Sequence, residues 1–354
     1  MKKTIYIHVG SPKTATSSIQ NILQSERKLL EKNDFLYPIS CCSNNAHHAL
    51  VCDLNLNFGA KVPDFWYRGL EKGNNWDKLI NEISSTKCKN IILSSELFYV
   101  LDKKKLSIIK EKLGEYDIKL IVFIRRPDEL FNSFYNQDVK GERQWNKSAY
   151  EFYETHQLFV HDTYERLDFM SDVFGHENIL VEPFEPKKNN PITQFFDLLK
   201  LKIEKADSLS LESNSAISPT ALYIKLAFNK VYPNKGMNNK VNKFILKNLN
   251  DNECKKVRYV NANFYNKYYK RWVNDVEVLN RKYGVDFNIK DLTKDEDIDI
   301  FIVDKKLLTK FLKKSLMSLF KTSTIPTMVI IKLIFILMVE NNITFLNVIN
   351  AKNK

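Results

Sequence analysis

The sequence predicts an α/β protein with a doubly wound, mostly parallel sheet and a helical C-terminal extension. Short apolar runs alternate with helix-periodic segments across the first 200 residues. Beyond residue 208 the periodicity turns almost wholly helical. Three loops bearing cations, hydroxyls or a carboxylate each follow an apolar run, at the edge where sheets of this class bind ligands. Residues 1–207 therefore read as an α/β domain, 208–325 as a helical region packing on it, and 326–354 as an apolar tail helix.

Taken in order, residues 4–9 (TIYIHV) are a buried strand, and 17–30 place Ile19, Ile22, Leu23, Leu29 and Leu30 at near-helical spacing. Residues 35–39 and 90–93 (NIIL) are strands two and three. The lysine-rich segment 103–113 is a helix ended by Gly114, which suits a C-cap. Residues 119–124 (KLIVFI) are the fourth strand, and Pro127 fits the first turn of a helix running to 139. A long helix over 149–174 stops at Gly175, and 178–182 is the fifth strand. The helical half comprises 220–231, 241–249, 255–283 and 305–320. In the tail, TMVIIKLIFILMV (327–339) is interrupted by Lys332 and is shorter than the roughly 20 apolar residues of a membrane span. A helix buried in the protein and one lying in a membrane interface fit it equally, well ahead of a true span.

With 354 residues, 44% of them hydrophobic and 12% aromatic, the chain can bury one large core or two smaller ones, which excludes general disorder. Its 54 basic and 42 acidic side chains leave a formal net charge of +12, which favours anionic partners such as nucleotides and acidic glycans. The five cysteines form no C-x-x-C pair, so no zinc or redox motif is expected, and reduced thiols suit a cytoplasm. The first apolar run contains His8 and leads into a loop, so it does not read as a signal peptide.

The first loop, Ser11-Pro12-Lys13-Thr14-Ala15-Thr16-Ser17-Ser18, opens a helix. N–H groups at a helix N-terminus favour an anion, and Lys13 adds a mobile positive charge. Thr14, Thr16, Ser17 and Ser18 can donate hydroxyl hydrogen bonds to its oxygens. The ATPase fingerprint G-x-x-x-x-G-K-[ST] is absent, because Gly10 lies three residues before Lys13 and no second glycine precedes the lysine. Ser94-Ser95-Glu96 follows the third strand. Arg125-Arg126-Pro127 follows the fourth, with Ser133 eight residues past Arg125. A guanidinium emerging there can grip a phosphate bidentately.

These residues resemble a known family. Lys13-Thr14-Ala15-Thr16-Ser17 is similar to the 5'-phosphosulfate loop of sulfotransferases that use PAPS (3'-phosphoadenosine 5'-phosphosulfate). R-x-P-x-x-x-x-x-S, from Arg125 to Ser133, resembles that family's 3'-phosphate motif. HVGSPKTATSSIQ, Tyr37-Pro38 before His47-His48, ILSSELF and Phe174-Gly175-His176-Glu177-Asn178-Ile179 resemble its bacterial branch that acts on carbohydrates. The likeness covers about residues 4–220, with Ala15 standing where many members have glycine. The family's late basic R-K-G loop has only Lys235-Gly236 as a counterpart.

The resemblance implies a P-loop NTPase-like fold of the sulfotransferase type, with PAPS as donor, PAP as product and no metal. Ser11, Lys13, Thr14, Ala15, Thr16, Ser17 and Ser18 would hold the phosphosulfate, while Arg125 and Ser133 would hold the 3'-phosphate. The acceptor would be a hydroxyl or amine of a carbohydrate or lipid-linked glycan, which receives the sulfuryl group. Lys13 would stabilise charge on the leaving phosphate. Glu96, where related enzymes often place a catalytic residue, would take the acceptor proton, with His48 and then His47 as alternatives. Gln137 and Lys140 resemble the family's Y-x-Q-x-x-K stretch and, with His47 and His48, are candidate acceptor contacts. Tyr37, Trp66, Tyr67, Trp76 and Trp145 are aromatic candidates by loop position alone. The expected setting is a bacterial cytoplasm, at the inner face of the membrane if the tail is interfacial.

Two rival readings share these features. A kinase or NTPase would need Walker-type spacing, which fails. A non-catalytic basic module for glycan or nucleic acid would need interleaved aromatics, yet the aromatics follow core periodicity and no nucleic-acid motif is present, so no nucleic-acid partner is expected.

Overall fold

Ile5, Ile7 and Val9 leave almost no surface in the computed structural model, which describes residues 2–155, 163–203, 217–249, 262–288, 305–318 and 325–343. These residues belong to the central strand of the first of two compact units. That unit comprises Met1–Arg126, His161–Ser213 and Asn274–Asn288; the second comprises Pro127–Val160, Asn214–Val273 and Ile289–Lys354. The continuous boundaries expected from composition, at 207 and 325, do not coincide with these interleaved segments. Long-range burial groups the segments, and composition along the chain does not register it.

In the first unit, β1 (Thr4–Gly10), β2 (Phe35–Leu36), β3 (Asn90–Ser94), β4 (Asp117–Ile124) and β5 (Ile179–Pro183) form one parallel sheet in the order β2-β3-β1-β4-β5. Ile5 lies opposite Ile91 and Ile118, Ile7 opposite Leu93 and Leu120, and the pairing with β4 slips between His8 and Gly10. Leu120 to Ile124 are all buried although alternate residues face opposite sides, so both faces of the sheet are covered. The helices of this unit are α1 (Thr16–Ser25), α2 (Arg27–Lys32), α3 (His48–Asn57), α4 (Asn75–Ser85), α5 (Lys103–Lys112), α8 (Thr163–Phe174) and α9 (Pro191–Leu198). Ile19, Leu23 and Leu30 of α1 and α2 pack with Phe195 of α9 against Ile121 and Phe123. α8 packs on β4, and α5 on α8.

The second unit contains α6 (Pro127–Lys140), α7 (Ala149–Thr155), α10 (Pro219–Val231), α11 (Asn238–Leu249), α13 (Lys305–Ser318) and α14 (Thr327–Glu340), while α12 (Ala262–Tyr283) has residues in both. Ala221, Phe228, Ile245, Phe311, Ile330 and Leu333 share one core drawn from four of these helices. Phe131, Tyr135, Phe152, Tyr153 and Trp272 make an aromatic cluster from α6, α7 and α12.

Several expectations change. Strand two is two residues long, ending before Pro38, which has no N–H for a ladder. The 17–30 helix breaks at Glu26 into α1 and α2. Of the expected 149–174 helix, α7 and α8 are helical and belong to different units, and residues 156–162 lie outside the described residues. Residues 255–261 and 319–320 of the expected helices lie outside the described residues. α3 and α4 were not anticipated; seven of α3's ten residues are buried, so no polar stripe marks it as a helix. Among the described residues no helix is long and apolar enough to cross a membrane.

Candidate functional site

The loop after β1 has an unusual backbone. Gly10, Lys13 and Ala15 have φ of 99°, 71° and 60°, and two of these left-handed residues are not glycine. Ala15 is the N-cap of α1 and makes no side-chain cap, so the first N–H groups of the helix are left to other partners. Left-handed residues in close succession gather N–H groups into an anion-binding concavity. The loop is anchored from beneath, where Ser11 N–H donates to Phe123 O at 2.7 Å.

Two hydroxyls differ from expectation. Thr14 Oγ1 donates to Ser11 O at 2.6 Å and Thr16 Oγ1 to the same oxygen at 3.4 Å, so both protons brace the loop itself. The two threonines are buried, which removes them as hydroxyl donors to a ligand. Ser17, exposed, and Ser18, half-buried, remain on the first turn of α1. The cradle is therefore mainly backbone, with the Lys13 ammonium added.

Glu96 sits against this loop. A Cβ on Gly10 would come within 3.3 Å of Glu96 Cβ and 3.2 Å of Pro12 N, so glycine permits the approach. Ser95 N–H donates to His8 O at 3.0 Å, which prolongs the β1–β3 pairing to the carboxylate. Gln20 Nε2, from the buried side of α1, donates to Glu96 Oε2 at 3.3 Å and to Ser94 Oγ at 3.2 Å. Gln20 was missed in the sequence; its signal is a lone amide beside Ile19, Ile22 and Leu23 on an apolar helix face.

His48 flanks Glu96 on another side, with Nε2 3.9 Å from Oε1 and Nδ1 2.7 Å from Ser95 Oγ. Burial pulls the His48 pKa down, Glu96 opposes this and Arg68 reinforces it, so the ring is neutral near pH 7. His47 is different. Its Nδ1 accepts from Ser94 N–H at 3.0 Å, its Nε2 donates to Pro38 O at 3.0 Å, and it is fully buried. Burial, the leading cause, pushes its pKa down to about 3. Neither nitrogen is available, so His47 is withdrawn both as a base and as an acceptor contact.

The aromatic candidates separate in the same way. Tyr37, Tyr67 and Trp76 are buried, with their polar atoms on Asn45 O, Asp53 and Leu50 O, and are structural. Trp66 lies edge-on to His48 at 4.9 Å and packs on Phe65 at 4.7 Å, while Phe65 is 57% exposed. Trp145 is in the second unit, packed on Phe152 with Nε1 donating to Ser148 O.

Arg125, half-buried at the end of β4, places Nη1 3.4 Å from Lys13 O and its guanidinium 5.3 Å over the Phe184 ring. β1 and β4 are neighbours whose onward connections leave in opposite directions, to β2 and to β5, so this edge is a switch point of the sheet. The structure thus brings together Lys13, Glu96, His48 and Arg125 within the first unit. Ser133, half-buried, Gln137, exposed, and Lys140, half-buried, stand on α6 of the second unit. The Lys235-Gly236 pair opens a 3₁₀ turn of that same unit.

Among the described residues, no group of three His, Cys, Asp or Glu side chains is placed to hold a metal ion. No protein-family model, no curated protein and no solved structure matches the chain.

Proposed function

We propose that the first unit binds PAPS at the β1–β4 edge and transfers its sulfuryl group to a hydroxyl of a carbohydrate or glycolipid acceptor. One observation carries the reading: a lysine, an arginine and a carboxylate from three strand ends converge on one loop. Gly10 abuts Glu96, and Arg125 touches the Lys13 carbonyl. The left-handed backbone at Lys13 and Ala15 fits the sulfate-bearing phosphate, because such turns present N–H groups to an anion. A second cation at the same edge fits a donor with a second, separate phosphate.

PAPS supplies an activated sulfuryl group whose leaving phosphate gains negative charge. Lys13 and the first N–H groups of α1 stabilise that charge where it develops. Arg125 holds the 3'-phosphate as a charge-assisted fork. Glu96, oriented by Gln20, receives the acceptor hydroxyl proton, with neutral His48 beside it. Exposed Phe65 and the neighbouring Trp66 offer a flat apolar face to the C–H side of a sugar ring.

The test uses labelled PAPS and a panel of capsular and lipid-linked sugars. The parent protein labels an acceptor, and Lys13→Ala abolishes labelling with unchanged circular dichroism. PAP raises the melting temperature and Mg-ATP does not. Stabilisation by Mg-ATP alone would point to a nucleotide-hydrolysing or kinase site, and full transfer by Lys13→Ala would overturn the proposal.

A further inference from the structure

The tail helix α14 has two faces with different surroundings. On one, Val329, Ile330, Leu333 and Leu337 pack into the core of the second unit. On the other, Met328, Ile331, Phe335 and Val339 stand 63%, 43%, 68% and 60% exposed. Spacings of three and four residues align these four side chains in one stripe along the helix. Lys332 is exposed within the stripe. One face of this helix is thus buried in the protein and the other is exposed.

The charge of the surrounding helices says what covers the exposed face. Leaving out Lys225, which is buried and bonded to Asn229, α10, α11, α13 and α14 carry ten lysines and a single acidic residue, Glu340. A second copy of the chain would bring the same positive charge, whereas an anionic lipid surface brings its complement. At about 1.5 Å per residue the 14 residues of α14 extend roughly 21 Å, short of the ~30 Å hydrocarbon layer. Four exposed apolar side chains with Lys332 among them, in a lysine-rich unit, suit a helix lying in the membrane plane.

We propose that α14 docks the protein peripherally on an anionic lipid bilayer. Met328, Ile331, Phe335 and Val339 enter the boundary between headgroups and acyl chains, and lysines of the same unit face the lipid charge. This inference is independent of sulfuryl transfer and requires no activity measurement.

The test is co-flotation of the full chain with two vesicle preparations, phosphatidylcholine alone and phosphatidylcholine mixed with phosphatidylserine. The chain floats with the mixed vesicles at least tenfold more than with the neutral ones, and added salt weakens the binding. Each lysine near an anionic surface contributes about a fivefold change in partitioning, so Lys332→Glu should lower binding to mixed vesicles by more than that factor. Ile331→Ser with Phe335→Ser lowers it at least tenfold while the urea midpoint stays put, because both side chains face solvent. No flotation, or equal flotation of parent and double variant, overturns the proposal. So does a concentration-dependent dimer in sedimentation that the double variant abolishes without any vesicle binding, since the face would then join two copies.

Discussion

Acidification from about pH 7.5 to about pH 5 should lower the stability of the first unit by roughly 4 kcal/mol through two buried histidines. His8 is fully buried between the rings of Phe123 and Phe195, with Nδ1 2.8 Å from Ser94 Oγ and Nε2 without a partner among the described residues. His47 is fully buried with both nitrogens hydrogen-bonded in the neutral form. Burial pushes each pKa down to about 3. A histidine with a lowered folded pKa binds fewer protons when folded, so its contribution is complete above the unfolded value of about 6.5 and is lost as pH falls towards about 3. At about pH 5, protonation stabilises the unfolded chain by about 2 kcal/mol per histidine and the folded chain hardly at all. His48, also lowered, acts in the same direction. The assay is urea unfolding followed by circular dichroism across this pH range, for the parent and His47→Asn. Whatever the variant's stability at neutral pH, its loss on acidification should be about 2 kcal/mol smaller than the parent's. Stability that stays level or rises on acidification, or an unchanged loss in the variant, would refute the claim that these rings are held neutral.

Other perturbations address the strand-end edge. Arg125→Ala should weaken PAP binding by at least tenfold, the scale of a charge-assisted contact, and leave adenosine 5'-phosphosulfate nearly unaffected, as read by calorimetry. Equal losses for both ligands would remove Arg125 as the reader of the 3'-phosphate. Glu96→Gln should lower turnover by about 10²–10⁴ with little change in PAPS affinity, and unchanged turnover would move the base role to His48. Gly10→Ala should destabilise by about 1–3 kcal/mol in urea, because a side chain at this φ is strained. It should also lower turnover, since the new Cβ would crowd Glu96.

Charges were easier to read in this chain than small polar groups. β1, β3 and β4 were legible because strands buried on both faces read as unbroken apolar runs, and their cations could only emerge at the ends. That reasoning put Lys13 and Arg125 on one edge, where the structure has them. It could not direct the hydroxyls of Thr14 and Thr16, because a short polar side chain bonds either a ligand or its own backbone. The choice depends on the left-handed turns at Lys13 and Ala15, which no glycine announces. The histidine pair follows the same logic. Adjacent residues point apart, yet which of the two meets Glu96 depends on Ser94 N–H and Pro38 O occupying the His47 ring. α3 was invisible for a related reason: buried nearly all round, it holds Asp53 inside through hydrogen bonds from Tyr67, Gly73 and Asn75, and periodicity has no pattern for a satisfied buried carboxylate. A site of this kind is therefore legible in its charges and strand ends. The groups that orient the charges, Gln20 above all, appear only once the backbone has fixed what each of them can reach.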